Sequence, residues 1–145
     1  MHTSKDELPM LLEAGEATVR GADWEEMRVA VVSVPAGTDF GPLLNGHPND
    51  RCPCPHWGYM IKGSLSIQSD EGEETLRAGD VFYLEAGHTG VATEDTEFLE
   101  VSPPDKHQAC VDMARRNLEA QAPAYSVKIQ ASFRVRIGTV VAMRC

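Results

Sequence analysis

This 145-residue chain has no excess of positive charge, no long apolar run and few cysteines, and each shortage excludes a class of function. Thirteen lysines and arginines stand against 22 acids, a net charge of −9. Nucleic acid and anionic membrane surfaces call for the opposite sign. The deficit is uneven: residues 123–145 carry Lys128, Arg134, Arg136 and Arg144 and no acid, so removing their +4 leaves about −13 on the rest. No apolar stretch approaches the roughly 20 residues a membrane-spanning helix needs. The opening Met-His-Thr-Ser-Lys-Asp-Glu lacks the apolar core of a signal peptide, and the expectation is a soluble cytoplasmic protein. Its four cysteines, at 52, 54, 110 and 145, do not resemble a secreted disulfide framework. In a reducing compartment, a close Cys/His cluster points instead to metal binding or catalysis. There is no nucleophile elbow, phosphate loop or carboxylate pair, and no internal repeat or low-complexity tract.

The apolar content, 42%, suits a folded domain with an appendage. Residues 6–16 have modest helical character. From Glu26 the run Met-Arg-Val-Ala-Val-Val-Ser-Val is β-branched and stops at Pro35-Ala-Gly37, a strand and a turn. Residues 42–51 read as a loop. Short strands follow over 56–62, 64–69, 73–77, 81–84, 88–93 and 97–101, separated by glycine and acidic turns. Strands at this spacing indicate an all-β sandwich or barrel. After Pro103-Pro104, residues 105–122 fit one helix with Cys110, Met113, Ala114 and Leu118 on its apolar stripe. Residues 127–137 then alternate apolar and polar, the pattern of a tail strand at a sheet edge or subunit contact. The expected organisation is an N-terminal segment (1–25), a β-barrel (26–104) and a C-terminal helix and tail strand (105–145).

The densest chemistry lies in Cys52-Pro-Cys54-Pro-His56-Trp-Gly-Tyr-Met-Ile-Lys-Gly63. In extended chain, alternate residues share a face, so Cys52, Cys54 and His56 are candidate ligands for a soft or borderline metal. About thirty residues later, Gly79-Asp-Val-Phe-Tyr-Leu-Glu85-Ala-Gly87-His88 brings a second imidazole beside a glycine turn.

These two segments resemble the paired motifs of the cupins, small double-stranded β-helix (jelly-roll) proteins, with the resemblance covering residues of about 37–102. The first cupin motif reads G-x5-H-x-H-x3–4-E-x6-G, and His56 and Gly63 have the spacing of its last Glu and Gly. The second reads G-x5-P-x-G-x2-H; Gly79 and Gly87 match it, Glu85 replaces the proline, and His88 stands two positions early, with Gly90 at the usual histidine. Cys52 and Asp50 occupy the places of the first motif's second and first histidines. The resemblance implies a cupin barrel with a metal pocket, but the family's three-His, one-Glu set is not preserved.

The remaining set is Cys54, His56 and His88, with Cys52 as a fourth. In a straight strand residues four apart lie about 13 Å from each other, so Cys52 joins His56 only if Pro53 and Pro55 bend the chain. A thiolate with imidazoles favours zinc, with iron, nickel or copper as alternatives. The competing reading makes Cys52 and Cys54 small core residues and His56 a hydrogen-bonded core histidine. A Cys-x-Cys disulfide fits extended backbone poorly. His2, His47 and His107 receive no role, Cys110 reads as core and Cys145 as a chain end. Met60 and Phe82 are pocket liners or core fillers, and Glu85 a general base at the mouth or a solvated turn acid. Two functions follow. One is a metal-dependent enzyme acting on a compact polar or carbonyl-bearing small molecule; the other is a non-catalytic ligand-binding or regulatory cupin with a structural metal or none. A homodimer is expected in either case, because a small jelly roll leaves sheet edges that need cover.

Overall fold

The computed structural model describes residues 1–121. The tail strand expected over 127–137, and Cys145, lie outside the described residues. Among the described residues nine strands and one helix follow in order: β1 Met10–Ala14, β2 Ala17–Trp24, β3 Met27–Val34, β4 His56–Lys62, β5 Ser64–Ser69, β6 Gly72–Arg77, β7 Val81–Leu84, β8 Thr89–Ala92, β9 Thr96–Ser102 and α1 Pro104–Gln121. Short 3-10 turns occupy Lys5–Glu7, Gly41–Leu44 and Pro48–Asp50. The strands form two antiparallel sheets, one ordered β1-β2-β3-β9-β4-β7 and the other β6-β5-β8.

Every strand expected between Glu26 and Val101 is present, with bounds that differ by no more than one residue. The helical reading of 6–16 is overturned. Met10–Ala14 hairpins onto Ala17–Trp24 and extends the larger sheet beyond β3. Leu11 and Leu12 are only partly covered in this strand, and pairing with β2 overrides a weak local helical preference.

The core follows from period-two alternation. Along β9, Thr96, Phe98, Glu100 and Ser102 point inward while Glu97, Leu99 and Val101 point outward. Met60 from β4, Leu65 and Ile67 from β5, Phe82 and Leu84 from β7, and Val32 from β3 meet Phe98 between the sheets. Full burial of one such side chain contributes about 1.5–3 kcal/mol. Met60 and Phe82 are thus core residues.

Two glycines fix the register around the site. Gly63 turns β4 into β5 at φ +82°, and a side chain there would press Thr96 Oγ1 at 2.6 Å. Gly58 lies against the Phe82 ring and the Leu99 carbonyl, so β4 sits close to β9 only because this position has no Cβ.

Helix α1 packs on the Gly41–Leu44 turn and against β1 and β3, and buries His107, Val111 and Ala114. That stripe is rotated from the expected one: Cys110 stays partly exposed, and His107, given no role from sequence, faces inward. Among the described residues, no helix is long and apolar enough to cross a membrane.

Candidate metal centre

Four elements converge at one end of the barrel. His56 opens β4, Cys52 precedes it in the loop, His88 precedes β8, and Cys110 comes from α1. Cys52 bridges to His88 through its backbone: Cys52 N–H donates to the His88 carbonyl at 2.8 Å, and Gly87 N–H donates to the Cys52 carbonyl at 2.7 Å. This bridge fixes the two side chains as neighbours. Pro53 and Pro55 break the extended run between Cys52 and β4, so Cys52 Sγ lies 3.4 Å from His56 Nε2 instead of a strand-length away.

One ligand atom from each of Cys52, His56 and His88 falls within 4.8 Å of the other two, and all three residues are buried. Cys54, placed in the central trio by strand parity, is not in this set; Cys52 takes its place. The segment before His56 is not a strand, so strand parity does not govern which sulfur joins the trio. Cys54 is fully buried, with its Sγ against the Pro55 carbonyl at 3.4 Å.

The tautomers follow from neighbours that can act in only one sense. His88 Nδ1 faces the Glu85 carbonyl and donates to it, which frees Nε2 as an acceptor. Arg28 Nη1 lies 3.3 Å from His107 Nδ1 and must donate, so His107 Nε2–H donates to Glu100 Oε1 at 2.8 Å. The other Glu100 oxygen is 3.4 Å from His56 Nδ1, which also meets Ser102 Oγ at 2.7 Å. Arg28 is in turn held by both carboxylate oxygens of Asp23, at 2.6 and 3.1 Å. A chain that starts at exposed Asp23 and runs through buried Arg28, His107 and Glu100 thus ends on the back of His56 and orients its Nε2 toward Cys52. A carboxylate behind a histidine is the usual device for fixing a metal ligand.

The charges of the cluster are interdependent. Hydrogen bonding from the Cys110 thiol, aided by His56, outweighs burial and draws the Cys52 thiol down to about 2. The same thiol, again with His56, draws Cys54 down to about 5. Cys110 is correspondingly pushed up as the proton donor to both sulfurs. Burial opposes a charge on His56, but the Glu100 carboxylate and the two cysteines outweigh it and raise this group well above its ordinary value. Burial also works against ionised Glu100, yet His56 and His107 hold it below the usual carboxylate range.

Cys52, His56, His88, Glu100, His107 and Cys110 all line a cavity of about 150 Å³ whose remaining wall is mostly leucine, valine, isoleucine and phenylalanine. Asp50, at the first histidine's motif position, is exposed at φ +54° and takes no part. Gly90 cannot host the family's last histidine, because even a Cβ there would sit 2.9 Å from Ile67 Cδ1 and 3.0 Å from the Ser66 carbonyl. His88 supplies that imidazole two residues earlier, on the same strand parity. Glu100, His107 and Cys110 are the residues that sequence reading missed. Alternation along β9 puts a carboxylate on the same face as Phe98, and that was the available signal.

No family model matches the chain, and no curated protein matches it. Solved structures do. KdgF from Halomonas sp. aligns at TM-score 0.55 and 18% identity over 72% of this chain and 94% of its own. An oxalate decarboxylase from Lactobacillus farciminis in a formate complex aligns at 0.53 and 22%, over 71% of this chain and 32% of its own. An RmlC-like cupin from Shewanella frigidimarina aligns at 0.52 and 14%, over 70% and 88%. Likeness at this level of identity carries the fold, and with the jelly-roll topology it establishes that the chain has the cupin fold.

Proposed function

We propose that Cys52, His56 and His88 bind one divalent transition metal and that the centre acts on a small molecule held in the adjoining cavity. The carrying observation is the convergence of one sulfur and two imidazole nitrogens within 4.8 Å at the wall of that cavity. A thiolate with two neutral imidazoles favours zinc, ahead of iron, nickel and copper. Three protein ligands leave a coordination position free, as catalytic sites require. A metal bound there supplies Lewis-acid chemistry to a polar or carbonyl oxygen.

The chain's own residues do the rest. Glu100 and Ser102 hold the His56 ring in place, the Glu85 carbonyl holds His88, and the adjoining wall is mostly apolar. Cys110 flanks the trio as the thiol that keeps its proton and donates to the Cys52 and Cys54 sulfurs.

Elemental analysis of untagged protein tests this reading and should give close to one transition metal per chain. X-ray absorption should then find one sulfur, two nitrogens and at least one non-protein ligand. Four protein ligands would favour the alternative, a regulatory cupin with a structural metal. A folded preparation that neither contains nor takes up metal ends both versions.

A homodimer belongs to the same proposal. Trp57, Tyr59 and Ile61 on β4 and Val81 and Tyr83 on the edge strand β7 are all exposed, and the Trp57 and Tyr83 rings stack at 5.1 Å. A continuous outward apolar face of this kind marks an interaction surface. Light scattering should report twice the chain mass of 15.8 kDa, and a monomer at high concentration contradicts it.

A further inference from the structure

The metal proposal leaves the ligand open, and the cavity wall narrows it. The volume is about 150 Å³. A dry protein cavity of about this size lined by Leu, Ile and Phe takes up benzene or xenon. Here Leu12, Val32, Leu65, Ile67, Phe98 and Val111 are among the lining residues. Apart from Thr89, which follows His88 in the chain, the polar lining residues belong to a single contiguous cluster: Cys52 touches His56 and Cys110, Glu100 lies between His56 and His107, and His88 stacks edge-on against His56 at 5.1 Å. The wall is therefore apolar apart from this patch and the Thr89 hydroxyl, which is buried without a hydrogen-bond partner.

That patch has little to offer a ligand's negative charge. Among the described residues, no lysine or arginine lines the cavity. Arg28 lies behind His107 and is already engaged by Asp23. Both Glu100 oxygens face histidines. A divalent ion would be balanced by the Cys52 thiolate and the Glu100 carboxylate, so a ligand carboxylate would bring an uncompensated charge into a buried site. Polyhydroxylated molecules fare no better, because hydroxyls that face the wall away from the patch and from Thr89 would meet hydrocarbon and lose their hydrogen bonds to water.

We propose that the cavity takes an uncharged molecule with a branched or aromatic body of about six carbon atoms and one oxygen- or sulfur-bearing head directed at Cys52, His56 and His88. The placement of the head rests on the metal reading above; the choice of body rests on the cavity alone. The ligand class is thus that of small phenols, aryl or branched alkyl alcohols, ketones and thiols, not sugar acids or short dicarboxylates.

The test uses the full chain and three probes: benzene on metal-free protein, and phenol and oxalate on zinc-loaded protein. Saturation-transfer NMR and titration should show benzene binding, with contacts to the Leu65 and Ile67 methyl groups. Phenol should bind at least tenfold more tightly than oxalate. Ala114→Leu, which fills the cavity from α1, should weaken both aromatic probes at least tenfold while zinc uptake is unchanged. If that variant does not fold, the methyl contacts in the wild-type chain still decide where benzene lies. Oxalate binding as tightly as phenol, or benzene without contact to Leu65 and Ile67, overturns the proposal. Benzene bound in a protein that takes up no zinc overturns the metal reading and upholds the apolar body.

Discussion

Replacing Glu100 with glutamine changes one charge in the buried chain behind His56 and almost nothing in shape. In the native protein one carboxylate oxygen accepts from His107 Nε2 at 2.8 Å and the other faces His56 Nδ1 at 3.4 Å. Glutamine keeps one acceptor oxygen and puts an amide N–H group, a donor only, at the other position. His107 has no other acceptor for its Nε2–H, because Arg28 takes up its Nδ1. The amide oxygen will therefore turn to His107, leaving two donors facing each other at His56, which retains Ser102 Oγ. Loss of a buried hydrogen bond to a charged group costs about 1.5–3 kcal/mol, which for a chain of this size lowers the melting temperature by roughly 5–12 °C. The ring of His56 also loses its orienting carboxylate, and zinc affinity should fall about 10–100-fold. Melting curves with and without chelator, together with competitive zinc titration, measure both effects. Glu85→Gln, at an exposed side chain whose site contact is only its backbone carbonyl, is the control and should change neither. Unaltered stability and zinc affinity in Glu100→Gln would refute the positioning argument.

Gly58→Ala should destabilise the fold by about 1–3 kcal/mol or more through overpacking, since its Cβ collides with the Phe82 ring and the Leu99 carbonyl; thermal unfolding checks this, and a neutral result would mean that β4 and β9 are less closely apposed. Zinc affinity should depend on pH through His56 and not through Cys52. Cys52 is already a thiolate at neutral pH, whereas His56 stays protonated well above its ordinary value and must give up that proton to bind a metal. Affinity should thus rise about tenfold per pH unit through neutrality until His56 itself deprotonates. Chelator competition between about pH 6 and 8.5 measures the slope, and a plateau already reached near the ordinary histidine value of about 6.5 contradicts it.

The barrel was legible because its signals are local. Strand alternation, glycine turns and Pro103-Pro104 each fix a boundary without help from distant residues. The tertiary parts were harder. Met10–Ala14 becomes a strand only by pairing with β2, and its own residues say little. The candidate ligand set turns on whether the chain bends at Pro53 and Pro55, which parity alone does not tell. His107 and Cys110 reach the site through the rotation of α1 on the barrel, and a helical stripe read from apolar residues does not count a buried histidine as part of its face. Glu100 was within reach, since β9 alternation puts it inward, but an acid in a strand invites an outward reading.

The central claim is that one thiolate, Cys52, joins His56 and His88 around a metal. Cobalt(II) substitution tests it directly, because a cobalt–thiolate bond gives a near-ultraviolet charge-transfer band whose strength counts bound sulfurs. The wild-type chain and Cys54→Ser should both take up one equivalent and show the band of a single thiolate, whereas Cys52→Ser should lose the band. A band that persists in Cys52→Ser and vanishes in Cys54→Ser, or no cobalt uptake by the folded wild-type chain, would contradict the account.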